Sequence, residues 1–323
     1  MCGGPLLTVA IPTCNGSRHL AEALRSVLAQ DHVTFDLVIS DDRSDDETLD
    51  IARAEAGERA RISVNSERLG LAGNWNRCVA LSRTPWVAVF HQDDVMRPGH
   101  LASHQAAISA GDSALGLVAS AAEVIDAEGR EVSHSVIERG NLGPLDRTFP
   151  PGAFVAELAA GNPVRCSGVT LRCEAHAALG GFDARYRYVV DWDFWLRLAR
   201  SWSVAWLARP TVAVRWHPAS ETHRFKTGTE DLDEAAQLMA ELFAHDEAIL
   251  SNARQLRRAA NRRLARAFLN RSYESLRGGD SALARRCLRR SVGLWPGILG
   301  TIARDPRLVA RLMLAGRNKP IAD

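Results

Sequence analysis

Apolar residues in the first ninety positions fall in short runs, and between those runs they recur at helical spacing. Residues 6–11 (LLTVAI) form an apolar, β-branched run that stops at Pro12, the signature of a buried strand. Residues 17–30 place Leu20, Leu24, Val27 and Leu28 along one helical face. Residues 35–40 (FDLVIS) repeat the strand pattern. Ser44, followed three positions later by Glu47, then predicts a capping box opening a helix to about Ala56. Residues 61–65 predict a third strand, 73–82 a helix and 86–90 a fourth strand. This alternation predicts an α/β fold with a parallel, doubly wound sheet. Ligands of such sheets bind beyond the carboxyl ends of the strands. Asn15, Asp41, Asp42 and the stretch from His91 to Asp94 occupy those places.

Past residue 115 the pattern loosens. Residues 115–125 predict a strand, turned back at 126–130. Residues 132–150 hold Gly140, Gly143, Pro144 and Pro150 without periodicity and read as a long loop. A short strand at 169–172, a helix at 191–200 and two strands at 204–207 and 212–216 follow. After Phe225 the chain reads as roughly four helices. Gly278-Gly279-Asp280 breaks the third from the next. The expected division is therefore an α/β domain over 1–225 and an all-helical region over 226–323.

Composition adds limits. With 323 residues, 46% hydrophobic and 24% charged, the chain is globular rather than disordered, collagen-like or a disulfide scaffold. No apolar run approaches the roughly 18 residues of a membrane-spanning helix, and the first residues lack a signal-peptide pattern. Six cysteines show no C-x-x-C or zinc spacing and suit buried positions in a reducing cytosol, so a cytoplasmic location is expected. The net charge of +2 conceals an asymmetry. Residues 251–323 carry 17 Lys+Arg against 4 Asp+Glu, or +13, which leaves 1–250 with 23 against 34, or −11. Such imbalance predicts modules with different partners.

Candidate chemistry lies mostly on the acidic side. Asp93 and Asp94 follow a buried strand directly, where paired carboxylates suit a hard divalent cation clamping a diphosphate. Asp is also common in solvated turns, but Asp41-Asp42 after the neighbouring strand repeats the arrangement and favours a site. No G-x-x-x-x-G-K-[ST] and no G-x-G-x-x-G follows the first strand, which argues against P-loop and Rossmann dinucleotide sites. Asp191 and Asp193 open a helix with an apolar face of Trp192, Trp195, Leu196 and Ala199. Either serves as an N-cap, or as a general base kept ionised by the helix dipole. His217 stands beyond the last strand, as a structural residue or as a further metal contact.

In order and spacing, the segments TVAIPTCNG (8–16), SVLAQ (26–30), DDRSDD (41–46), LGLAGNWN (69–76), HQDD (91–94), GGFD (180–183) and DWD (191–193) resemble family 2 glycosyltransferases over roughly residues 6–225. The resemblance implies a GT-A fold, a nucleotide-diphosphate-sugar donor, Mn2+ or Mg2+, and inversion at the anomeric carbon. It would place Pro12, Cys14 and Asn15 along the nucleotide pocket, with Asp42 on the base and Asp41 beside it. Asn74 and Asn76 would touch nucleotide or phosphate. Asp93 and Asp94 fall in the metal motif, Asp94 first for coordination and Asp93 also near the donor, with His217 as a further ligand. Asp191 matches the general base. Three positions depart from the common pattern: His91 stands where Asp is frequent, Cys14 replaces a frequent Tyr, and Val190 precedes the base.

The function so implied is transfer of a sugar to a hydroxyl of a glycan or lipid-linked acceptor, in bacterial cell-surface polysaccharide synthesis. A sugar-nucleotide pyrophosphorylase is an alternative, but it would carry a Gly-rich loop with Lys or Arg after the first strand, unlike Pro12-Thr13-Cys14-Asn15-Gly16. A non-catalytic glycan- or nucleotide-binding scaffold would not need Asp93, Asp94 and Asp191. The arginines of 251–323 alternate with an apolar face of Leu283, Cys287, Leu288, Val292 and Leu294. They suit a peripheral contact on the inner face of the plasma membrane, a solvated bundle, or docking on the acidic domain. No nucleic-acid partner is expected, because no recognition motif is present.

Overall fold

Each apolar run of the first ninety residues is a strand in the computed structural model, which describes residues 5–132, 142–217, 228–246 and 249–304. The chain divides into two compact units, Met1–Ser220 and Glu221–Asp323. In the first unit β1 (Leu7–Thr13), β2 (Phe35–Asp41), β3 (Arg61–Val64) and β4 (Trp86–Val89) alternate with α1 (Leu20–Leu28), α2 (Thr48–Ala56) and α3 (Gly70–Leu81). The four strands are parallel in the order β3-β2-β1-β4. Central β1 is covered on both faces, which is why Leu7, Val9, Ala10 and Ile11 are inaccessible to solvent. Leu20, Leu24 and Val27 of α1 close over it, joined by Leu37 and Ile39 of β2. Each such side chain contributes roughly 1.5–3 kcal/mol on burial.

The ladders run one residue past the strands. Asp42 donates its N–H to the Thr13 carbonyl (2.8 Å), and Asn65 donates to that of Asp41 (2.8 Å). The polar residues after β1, β2 and β3 therefore meet at one edge.

The capping box expected at Ser44 and Glu47 does not form. Ser44 turns back and donates both its N–H (2.9 Å) and its hydroxyl (2.6 Å) to buried Asp41, a charged acceptor that outbids a helix terminus. The helix begins later, where Asp46 accepts from the Thr48 N–H at 3.0 Å.

The rest of the unit holds β5 (Val95–Met96), α4 (His100–Ala110), β6 (Leu115–Ile125), β7 (Arg147–Phe149), α5 (Ala153–Ala160), β8 (Val169–Arg172), α6 (Cys173–Ala178), α7 (Val190–Ser201) and β9 (Ser203–Arg215). Antiparallel β8 joins β4 to β6, and β9 runs parallel to β6, so the sheet continues as β8-β6-β9-β5. Two expectations change here. The segment read as a loop contains β7, held as a strand by antiparallel pairing with β9; residues 133–141 of that segment lie outside the described residues. The two strands expected at 204–207 and 212–216 are one, because the interruption around exposed Arg209 and Pro210 is absorbed by a register shift against β6.

The second unit contains α8 (Glu230–His245), α9 (Ala253–Arg277), α10 (Ser281–Leu294) and α11 (Ile298–Ala303) among its described residues. Gly278-Gly279-Asp280 separates α9 from α10, one helix earlier than expected, since α9 runs unbroken for 25 residues. Asp280 caps α10 by accepting from the Leu283 N–H at 2.8 Å. Buried Arg271 pairs with Asp231 at 2.7 Å. No helix among the described residues is long and apolar enough to cross a membrane.

Candidate active site

The edge formed by β1, β2 and α3 is built on internal carboxylates. Asp41 is fully buried and accepts from the Thr13 hydroxyl (2.8 Å) as well as from Ser44. Asp42 accepts from Asn65 Nδ2 (2.9 Å) and from the N–H groups of Leu69 (2.7 Å) and Gly70 (2.9 Å). Both its oxygens thus face the start of α3, where a negative charge is favoured by the helix dipole. Asn74 is 4% exposed, takes the Ser40 hydroxyl (2.8 Å) and Asn65 Nδ2 (3.1 Å) on Oδ1, and donates Nδ2 to the Ser40 carbonyl (3.0 Å). Asn76 is likewise committed: Oδ1 accepts from the Phe182 N–H (2.8 Å) and faces His176 Nε2 (2.8 Å), and Nδ2 donates to the Phe182 carbonyl (2.9 Å). These two asparagines staple α3 to the sheet and to the Gly180-Gly181-Phe182 turn.

Pro12, Cys14 and Asn15 line the turn after β1. Asn15 sits at φ 48°, a left-handed conformation that Asn tolerates, and its Oδ1 accepts from the Asp45 N–H at 3.0 Å. Gln92 grips Cys14 from both sides: Oε1 accepts from the Cys14 N–H (3.0 Å) and Nε2 donates to its carbonyl (3.1 Å). A Cβ on Gly16 would meet Gln92 Oε1 at 2.1 Å, so glycine is what leaves room for this grip. Beside Asp42, an open cleft of about 560 Å³ is lined by Arg43, Ser44, Asp45, Val64, Asn65 and Arg68.

At the end of β4, His91, Asp93 and Asp94 bring one ligand atom each to within 4.8 Å of one another. His217 closes the group, with Nε2 2.9 Å from Asp93 Oδ2. Burial and the neighbouring charge of Asp93 push the Asp94 carboxyl up to about 7, even though it accepts from the Ser167 hydroxyl and, at 2.8 Å, from the Arg215 N–H. Burial acts on Asp93 in the same direction, but the His217 hydrogen bond and the charge of His91 outweigh it and hold that carboxyl low. His91 stacks on Trp75 with ring centroids 5.2 Å apart, and burial lowers its pKa. Two buried nitrogens, His91 Nε2 and His217 Nδ1, have no hydrogen-bond partner among the described residues. Two crowded carboxylates flanked by two imidazoles form a donor set that a divalent cation such as Mn2+ would satisfy. The residues present fit such an ion.

Asp191 lies in the first turn of α7, partly exposed. Its Oδ2 accepts from Asn162 Nδ2 (3.2 Å) and its Oδ1 from the Trp192 N–H (2.7 Å). It does not cap the helix, whose N-cap residue is Val189. Its charge reaches His91 and opposes the effect of burial there. Asp193 instead turns inward to Arg197, 2.8 Å away.

Ser167, Asn162, Gln92 and Arg215 organise the site without having been assigned to it from the sequence. Of these only Gln92 stood inside a stretch singled out for chemistry, HQDD; Arg215 lay within the last predicted strand, two residues before His217. Arg215 donates Nε to the Asp93 carbonyl (2.8 Å) and its remaining guanidinium nitrogens to Glu22 (2.6 Å) and to the carbonyls of Asp126 (3.1 Å) and Ala127 (3.2 Å).

Residues 8–151 match the model of Glycosyl transferase family 2. The chain is 28% identical over 202 residues to the putative glycosyltransferase EpsE of Bacillus subtilis, covering 61% of this chain and 68% of that one. Among solved structures, Staphylococcus aureus TarS 1-349 in complex with UDP superposes with a TM-score of 0.59 at 17% identity, covering 96% of this chain and 89% of that one. The mannosyltransferase PcManGT from Pyrobaculum calidifontis, in complex with GDP-Man and Mn2+, gives 0.52 at 17% identity over 91% and 88% of the two chains.

Proposed function

We propose that the chain, whose residues 8–151 match glycosyl transferase family 2, transfers one sugar from a nucleotide-diphosphate sugar to a hydroxyl of a glycan or lipid-linked acceptor, with inversion, in cell-surface polysaccharide synthesis. The observation that carries this reading is the meeting of His91, Asp93, Asp94 and His217 at the strand ends. TarS binding UDP and PcManGT binding GDP-Man with Mn2+ support it. The catalytic domain is taken as 1–225 and the helical region as 226–323.

The nucleoside would lie along the turn of Pro12, Cys14 and Asn15 and in the cleft beside Asp42, with the diphosphate toward Asp93 and Asp94. Mn2+ or Mg2+ held by Asp93, Asp94, His217 and His91 would supply positive charge to the departing diphosphate. Asp191 would take the acceptor hydroxyl's proton as the oxygen bonds to the anomeric carbon and the carbon–oxygen bond to diphosphate breaks. Asn162 orients that carboxylate through Oδ2. Asp41, Asn74 and Asn76 would serve by holding the pocket's walls, since their polar atoms are spent on the protein.

The test is a thermal-shift panel of UDP-, GDP- and dTDP-sugars with Mn2+, followed by donor hydrolysis with and without EDTA. At least one nucleotide sugar should stabilise the protein and be turned over. Stabilisation by none, or production of a sugar nucleotide from a nucleoside triphosphate and a sugar phosphate, would overturn the reading.

A further inference from the structure

The second unit carries a row of arginines that no described acid of the unit pairs. Arg254, Arg258, Arg262 and Arg266 stand four residues apart on α9, and all four are exposed. No ion pair reaches them among the described residues, whereas Arg271 and Arg290 are bound by Asp231 and Asp233 of α8. Like charges at i and i+4 repel and weaken a helix. A row of four, about 18 Å long at 1.5 Å per residue, is therefore unfavourable until an anion meets it.

Apolar side chains adjoin this row. At 100° per residue, Arg258, Arg262 and Arg266 project within about 60° of Leu269, and Leu269 packs with Ile298 and Ile302 of α11. While those two isoleucines face inward, Leu299 of the same helix is 53% exposed. Arg262 lies over the half-buried Trp295 ring, 5.1 Å from its centroid. A linear basic row beside an indole and an outward leucine matches a bilayer interface, where phosphates meet guanidinium groups and apolar side chains enter the acyl boundary. A soluble polyanion would engage the arginines and leave Leu299 in water.

We infer that this face of the second unit docks on an anionic lipid surface. The row supplies most of the attraction, and Leu299 and Trp295 form the apolar edge. The inference stands apart from the transfer reaction, since none of these residues belongs to the candidate active site.

Flotation of the full chain with vesicles tests it. Vesicles of about one third phosphatidylglycerol in phosphatidylcholine should carry the protein at low salt, pure phosphatidylcholine should not, and about 0.5 M NaCl should release it. Replacing Arg254, Arg258, Arg262 and Arg266 with Gln, which keeps helix propensity, should reduce partitioning on the order of 100- to 1,000-fold. Replacing the same four with Lys should preserve it. Leu299→Ser should weaken binding severalfold without changing its salt dependence. Far-UV circular dichroism checks that the Gln variant folds, and the lipid and salt comparisons on wild type need no variant. Equal binding to neutral and anionic vesicles, undiminished binding by a folded Gln variant, or retention on heparin without vesicle binding would each overturn the assignment.

Discussion

Arg215 and Glu22 meet at 2.6 Å across 193 residues of sequence, with the guanidinium 1% and the carboxylate 53% exposed. The rest of the arginine reaches the Asp93, Asp126 and Ala127 carbonyls, and its main-chain N–H holds Asp94. Arg215 is thus the tie between α1, the acidic stretch and the turn after β6. Arg215→Met should cost on the order of 3–5 kcal/mol, the usual consequence of removing one member of a buried charged network. Glu22→Gln should cost no more than about 1 kcal/mol, since water replaces its contact. Urea unfolding of the two variants checks the difference, and equal losses would assign the strength to the ion pair instead of the carbonyl contacts.

Asp191→Asn keeps the shape of the first turn of α7 but cannot accept a proton. Transfer should fall on the order of 100- to 10,000-fold, the range for loss of a general base. Donor binding, followed by thermal shift with the nucleotide sugar, should remain. Near-normal turnover would remove Asp191 from that role.

EDTA should stop transfer, with Mn2+ or Mg2+ restoring it. Without donor, Mn2+ should raise the melting temperature of wild type. Asp93→Asn and His217→Ala should lose most of that increase while melting near wild type in its absence. Asp94→Asn should lower the metal-free melting temperature as well, because Asp94 also holds Ser167 and the Arg215 main chain. An Asp93→Asn protein that responds fully to Mn2+ would contradict the assignment.

Asn74→Ala separates a wall residue from a ligand contact. Removing its amide orphans the Ser40 hydroxyl and carbonyl and one Asn65 hydrogen, at about 1–3 kcal/mol for each group left without a partner. Thermal unfolding should show that loss, with nucleotide affinity well below the transition little changed. A large affinity loss in a stable protein would instead place Asn74 on the donor.

His100 and His104 predict an acid-sensitive core. Both are fully buried, with rings 4.1 Å apart and Nδ1 atoms on Thr211 (2.7 Å) and Thr170 (2.9 Å). Burial lowers the His100 pKa to about 3 and that of His104 well below the ordinary 6.5. The unfolded chain takes up protons near pH 6.5 while the folded one does not. Stability is therefore fully present above that pH and declines as pH falls toward 3, at up to about 1.4 kcal/mol per unit for each histidine. Urea midpoints at about pH 7 and pH 5 measure this, and replacing both with Gln should flatten the dependence.

What could be read in advance followed regular rules. Short apolar runs located β1 to β4, helical spacing located α1, and strand ends pointed to Asp41, Asp42, Asp93 and Asp94. Elements held by distant partners carried no local signal. β7 is a strand because β9 lies beside it, and β9 continues through Pro210 because β6 shifts register. Ser167 reaches Asp94 from 73 residues away, and Asn162 reaches Asp191 from 29. Neither contact follows a period. Asn74 and Asn76 matched by motif, but their amides face main chain and neighbouring side chains, which no spacing rule reveals.

For anyone redesigning donor preference, positions 16 and 92 form a single variable. Any side chain at 16 displaces the Gln92 amide from Cys14, and that amide is the strap between the turn after β1 and the residues beside Asp93. A library that randomises the turn alone would discard productive pockets by loosening the neighbouring acidic segment. Varying Gly16 and Gln92 together would let each new side chain at 16 be matched by a residue at 92 that still reaches the Cys14 main chain.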